Sequence, residues 1–190
     1  MAKLYFKYGA MGSSKTANAL MTRYNFMEKE KSVLLVKPDI ETRDEKKKIR
    51  SRIGLEAECI LWSEFQGYDH KSIQEFDVII VDEVQFLSET DIDRLADIVD
   101  QYRIPVLCYG LRTDFTSHLF PGSKRLLELA DEIEELKTVC WCGNNAGMNA
   151  RIDKNGNVLR DGEQILMGAN DKYVSLCRKH YKEGKIKPDA

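Results

Sequence analysis

A strand, a short loop rich in glycine and serine, and a helix follow one another at the start of this chain, and few folds accommodate that succession. Lys3 to Tyr8 reads as the strand, and Ala17, Leu20, Met21, Tyr24 and Met27 recur at helical spacing. Between them Gly9-Ala10-Met11-Gly12-Ser13-Ser14-Lys15-Thr16 fits G-x-x-x-x-G-K-[ST], with Ser14 in place of the second glycine. Successive backbone N–H groups of such a loop turn inward and make a nest for an anion, reinforced by the positive end of the following helix. Lys15 is placed to neutralise β- and γ-phosphates and Thr16 to offer its hydroxyl to Mg²⁺. The plainer alternative is a Gly/Ser turn that only caps a helix. Ser14 matters if its position needs a positive φ, a demand that Gly12 is expected to share.

Downstream, apolar runs alternate with helical patterns. Val33 to Val36, Val78 to Val81 and Val106 to Tyr109 read as strands, and Ile133 to Val139 as a fifth. The uninterrupted Val78 to Val81 run suits a strand covered on both faces. Ser88 is a plausible cap for a helix with Ile92, Leu95, Ala96 and Val99 on its buried stripe, and another helix is expected around Leu126 to Ala130. The run Glu45 to Arg50 is expected to be a solvated loop. This alternation predicts an α/β domain with a mainly parallel sheet and helices on both faces. At 190 residues the chain has room for that domain over 1–138 and a small appendage over 139–190, the latter rich in Gly and Asn with a hairpin turn at Lys154 to Asn157. With 29 Lys and Arg against 31 Asp and Glu, there is no electrostatic case for binding nucleic acid or a membrane surface. No apolar run approaches a membrane span and the first residues build no signal-peptide core, so a soluble, cytoplasmic protein is expected.

The Val78 to Val81 run ends in Asp82-Glu83. A buried strand delivering a carboxylate is how phosphate-loop proteins present an acid to the Mg²⁺ held by the loop, here Asp82 beside Thr16. Glu83, next along, is placed to act on a nucleophile, as general base toward a hydroxyl or by positioning water; a solvated turn residue is the alternative.

Five cysteines without a secretory signal argue against a disulfide framework. Cys59 and Cys108 sit in apolar runs and read as core. Cys140-Trp141-Cys142 and Cys177-Arg178-Lys179-His180 form two pairs around a 34-residue insertion. Three sulfurs and one imidazole satisfy structural Zn²⁺ and leave no open position for a catalytic water. Reduced thiols beside a surface histidine are the alternative.

Taken together, Gly9 to Thr16, Asp82-Glu83-Val84-Gln85-Phe86, Tyr109-Gly110-Leu111-Arg112-Thr113-Asp114-Phe115, the Cys140/Cys142 pair with Gly143, Met167 to Tyr173 and Cys177 to His180 resemble the thymidine kinases of the small-subunit type. The resemblance covers nearly the whole chain. It implies a P-loop, RecA-like domain with a C-terminal zinc-ribbon lasso. It also implies transfer of the ATP γ-phosphoryl group to the 5′-hydroxyl of thymidine or deoxyuridine. On this chain it makes Glu83 the base, Asp82 and Thr16 the Mg²⁺ residues, and Gly9 to Thr16 with Arg43 the phosphate side. It gives Phe86, Gln85 and Phe115 to the nucleoside, with Met148, Ile165, Gly168 and Tyr173 from the lasso. A homotetramer and feedback inhibition by thymidine triphosphate are further implications. Three rival functions share parts of this pattern: a phosphate-loop ATPase or DNA motor, an adenylate-kinase-like enzyme with a zinc lid, and a nonenzymatic zinc-ribbon adaptor. The lack of a basic stripe, the position of the metal pairs at the chain's end, and the intact nucleotide site weigh against them in turn.

Overall fold

The computed structural model describes residues 1–40, 47–164 and 173–188. β1 (Leu4–Tyr8) leads to α1 (Lys15–Met27), β2 (Val33–Lys37), the hairpin β3 (Lys48–Arg50) and β4 (Glu56–Glu58), β5 (Ile60–Leu61), and the short helices α2 (Trp62–Gln66) and α3 (His70–Ile73). Next come β6 (Val78–Val81), α4 (Glu89–Tyr102), β7 (Val106–Gly110), α5 (Pro121–Leu129) and β8 (Glu132–Glu135). β9 (Met148–Ile152), β10 (Val158–Leu159), β11 (Tyr173–Leu176) and α6 (Arg178–Glu183) complete the chain.

The main sheet has the order β5-β2-β6-β7-β1-β8, and every pairing in it is parallel. Alternation along each strand separates two apolar layers. Ile79 and Val81 of β6 join Leu4, Phe6 and Cys108 beneath Ile92, Leu95 and Val99 of α4 and Leu126 of α5. Val78 and Ile80 join Leu35, Leu107 and Tyr109 beneath Ala19 and Leu20 of α1. Helices therefore cover both faces, and β6 is buried along its whole length, as its unbroken apolar run requires. Helix α4 starts where expected: Ser88 Oγ accepts the Asp91 N–H at 3.2 Å and Asp91 Oδ2 accepts the Ser88 N–H at 3.0 Å, a complete capping box.

The C-terminal residues form a second, antiparallel sheet of order β10-β9-β11. Its hairpin turns at Asp153 to Asn157, where Asp153 Oδ1 accepts the N–H groups of Asn155 and Asn157, each at 2.8 Å.

Four expectations are corrected. The fifth strand stops at Glu135 because its partner β1 ends opposite it, at Tyr8. The helix expected around Leu126 begins at Pro121, whose fixed φ suits a first helical position. Lys48 to Arg50 is a strand, because Ile49 is buried while Lys48 and Arg50 both pair with Glu56 across the hairpin. In α1, Ala17 and Leu20 are buried but Met21, Tyr24 and Met27 are exposed; the face on the sheet runs instead through Ala19, Leu20 and Phe26. Among the described residues no helix is long and apolar enough to cross a membrane.

Candidate active site and metal centre

The carboxyl ends of parallel strands are where an open α/β sheet binds ligands, and β1 and β6 deliver both halves of the expected site there. The loop leaving β1 makes two left-handed turns, at Gly12 (φ 75°) and at Ser14 (φ 60°). Gly12 therefore does not relieve Ser14, which heads α1 without a side-chain cap. The buried Lys15 ammonium lies over the loop and donates to the carbonyls of Ala10 at 2.9 Å and Gly9 at 3.2 Å.

Asp82, 2% exposed, ends β6. Burial and then the neighbouring Glu83 carboxylate push its carboxyl up to about 7, with the Thr16 hydroxyl bond and the Lys15 charge opposing them. Among the described residues its Oδ1 has no hydrogen-bond partner. A buried, unpartnered carboxylate oxygen whose carboxyl also bonds the Thr16 hydroxyl fits a hard, oxygen-seeking cation such as Mg²⁺.

Glu83 is also left-handed, with φ 52°. Its Oε2 accepts from Gln85 Nε2 at 2.5 Å, and the buried Gln85 is fixed in turn by the Leu111 N–H, which donates to Gln85 Oε1 at 3.0 Å. That approach depends on glycine at 110, where a Cβ would sit 2.6 Å from Gln85 Oε1. The catalytic candidate is thus aimed by a side chain two residues away, which rests on the neighbouring strand's end.

At the other end of the chain, Cys140, Cys142, Cys177 and His180 present ligand atoms that all lie within 4.8 Å of one another. The Cys142 and Cys177 sulfurs are 4.0 Å apart, and His180 Nδ1 is 3.5 Å from Cys140 Sγ and 3.3 Å from Cys177 Sγ. A tetrahedral Zn²⁺ with Zn–S near 2.3 Å requires sulfur separations of about 3.8 Å, so the group fits that ion. Burial opposes the Cys140 thiolate, yet the backbone N–H groups of Cys142 and Cys177 and the His180 ring draw its pKa down to about 6. The Trp141 ring stacks on His180 at 4.1 Å and helps fix the imidazole.

The family model described as "Thymidine kinase" matches residues 2–181. The chain belongs to the thymidine kinase family. A thymidine kinase of Pasteurella multocida is 45% identical over 188 residues, covering 96% of this chain and 98% of its own. One of Legionella pneumophila is 46% identical over 194 residues, covering 97% and 91%. One of Vibrio vulnificus is 43% identical, covering 96% and 98%.

In this thymidine kinase family member, Gln85 and Glu83 are brought together directly. Phe86 meets Phe120 edge to face, with ring centres 5.9 Å apart. Phe115 is buried, and Arg151 lies over its ring and beside Tyr173. Met148 is not with them; it packs on the small core of the C-terminal sheet. Arg43, Ile165 and Gly168 lie outside the described residues. Two polar residues escaped the sequence reading: Asn149 and Arg151, both 4% exposed. Their signal was present as the polar positions in Met148-Asn149-Ala150-Arg151-Ile152, at the period of two that marks one face of a strand.

Proposed function

We propose that the protein transfers the γ-phosphoryl group of ATP to the 5′-hydroxyl of thymidine or deoxyuridine, with Glu83 as general base. The observation that carries this reading is the fixed pairing of Glu83 with Gln85 beside the Asp82–Thr16 corner, which supports Glu83 as the base. Lys15 and the amides of Gly9 to Thr16 hold the phosphates, and Arg43 adds charge on that side. Glu83 takes the hydroxyl proton as the 5′-oxygen attacks the γ-phosphorus, the bond from that phosphorus to the β–γ bridging oxygen breaks, and ADP leaves. Mg²⁺, held by Asp82 and Thr16, supplies neutralisation of phosphate charge when bound.

On the nucleoside side, Phe86, Gln85, Phe115 and Tyr173 enclose the base and sugar, together with Ile165 and Gly168 of the lasso; Met148, on the small core, takes no part. Residues 1–138 act as the nucleotide-binding domain. Residues 139–190 act as a lid that keeps water from the γ-phosphate; Cys140, Cys142, Cys177 and His180 would hold a structural Zn²⁺, which would anchor both ends. The family also brings a cytoplasmic homotetramer, inhibited by thymidine triphosphate, as part of this proposal.

ATP consumption with Mg²⁺ and thymidine, deoxyuridine, deoxycytidine, deoxyadenosine or no nucleoside tests it. The expected outcome is thymidine-dependent turnover that yields the 5′-monophosphate. Equal turnover without nucleoside would return the site to an ATPase with Glu83 positioning water.

A further inference from the structure

Strand β9 faces two ways. Ala150, with Met148 beside it, turns toward the small core, as do Val174 and Leu176 of β11. Asn149 and Arg151 turn toward the parallel-sheet domain, each opposite a polar residue of β11: Asn149 opposite Ser175, and Arg151 opposite Tyr173. The first pair grips the phosphate loop. Asn149 Oδ1 accepts the Met11 N–H at 2.8 Å, its Nδ2 donates to the Thr113 carbonyl at 2.9 Å, and the Ser175 hydroxyl donates to the Met11 carbonyl.

The second pair has a different character. The Arg151 guanidinium carbon lies 3.8 Å from the centre of the Phe115 ring and 5.3 Å from that of Tyr173. Its Nε donates to the Tyr173 hydroxyl at 2.8 Å and its Nη2 to the Gln164 carbonyl at 3.3 Å. Gln164 Nε2 in turn donates to Asp114 Oδ2 at 2.9 Å, one residue from Phe115. None of Arg151's partners among the described residues is a carboxylate. A buried cation without an anion is costly, and an apolar side chain would serve packing alone at lower cost. What a guanidinium adds is the ability to cover an aromatic face with its plane while its edge holds a phenol oxygen.

We propose that Arg151 is the positioning residue of the nucleoside side: it fixes Phe115, from the main domain, against Tyr173, from the C-terminal sheet, so that the base enters a wall already formed. This rests on the kinase reading above. None of its hydrogen bonds or ring contacts among the described residues reaches the phosphate loop, so its removal weakens nucleoside binding selectively, because the two rings must be ordered at the moment of binding.

The test compares wild type, Arg151→Met and Arg151→Lys by KM for thymidine, KM for ATP, kcat and bound zinc. Arg151→Met is expected to raise KM for thymidine about tenfold or more, with KM for ATP changed less than about twofold and zinc retained. Arg151→Lys keeps the charge without the planar fork and is expected to recover only part of the loss. A parallel rise in both KM values, an unchanged KM for thymidine, full recovery by lysine, or zinc loss in both variants would overturn the assignment. Wild-type protein inert toward thymidine would instead overturn the kinase reading, and this assignment with it.

Discussion

The parallel sheet and the C-terminal sheet solve the same problem with different materials. The strands of the first bury continuous apolar faces against helices on both sides. The second has a small core, Ala146, Ala150, Leu176 and Tyr181, completed by two of its own candidate metal ligands, Cys140 and Cys177. Its opposite face is polar and meets the main domain through directed bonds from Asn149 and Ser175 to Met11 and Thr113. Apolar area stabilises without regard to direction, whereas a metal centre and a bonded face fail as soon as one partner is removed. The first region is therefore expected to tolerate single changes near the site, and the second, with zinc bound, to concentrate its stability in a few atoms.

The sharpest way to break that comparison is Cys177→Ser. Structural Zn²⁺ contributes roughly 10–16 kcal/mol in small zinc modules, far more than the small core here can replace. The variant is expected to lose its metal, and the amides of Met148–Ile152 and Tyr173–Glu183 are expected to exchange quickly with solvent. Amides of β1, β6 and β7 should stay protected. Full zinc occupancy would refute the ligand set, and loss of protection throughout would refute the independence of the two regions.

Glu83→Gln probes the main domain with a change of nearly equal volume. Turnover is expected to fall by about 10²–10⁴-fold, the usual contribution of a general base, with zinc content and hydrogen exchange unchanged. Turnover near that of wild type would remove Glu83 from the base role.

The contrast also explains what the sequence made legible. Periodicity reports burial, so the buried strands β1, β2, β6 and β7 could be read directly, and Ser88 marked its helix through its own chemistry. Spacing of sulfur and imidazole suggests coordination, so the four candidate ligands could be named before they were seen to converge. For contacts across the two sheets the local signature is incomplete: the period of two in Met148 to Ile152 marks a polar face but not what that face meets. Asn149 and Arg151 acquire meaning only when β9 is laid beside the loops at Met11 and Phe115. Lys48 to Arg50 shows the reverse error, in which charge suggested a loop but a single buried Ile49 and cross-strand pairing with Glu56 make a strand.

Asp82→Asn separates stability from function within the main domain. The carboxyl pKa of Asp82 is raised in the folded protein to about 7 from an ordinary 3.8, with burial the largest cause. Folding therefore favours the protonated form. The stability tied to this group is fully present below about pH 4 and is lost as pH rises through about 7. In Mg²⁺-free buffer at pH 8 the variant is expected to be more stable than wild type, and the gap should close toward pH 4. Added Mg²⁺ should stabilise wild type and not the variant. Thermal melts across pH check this, and a variant less stable than wild type at pH 8 would show that the Asp82 charge is already compensated.

The smallest expected effect concerns the one departure in the phosphate loop. Ser14 adopts φ 60° directly before α1 and makes no side-chain cap bond, so it bears left-handed strain without the usual return from a capping serine. An L-residue in that region costs roughly 1–2 kcal/mol relative to its preferred wells. Ser14→Gly removes this cost but gives the unfolded chain more freedom, which takes back about 0.4–1 kcal/mol. The net expectation is a gain of at most about 1 kcal/mol, or roughly 2–4 °C in Tm for a chain of this size. KM for ATP should change less than about twofold, because the loop's path is already set by Gly12 and by the grip of Asn149 and Ser175 on Met11. A loss of stability would mean that the serine side chain stabilises the loop by more than its backbone strains it. A large change in KM for ATP with unchanged stability would mean that the C-terminal sheet does not hold the loop's shape, and that Ser14 itself faces the phosphates.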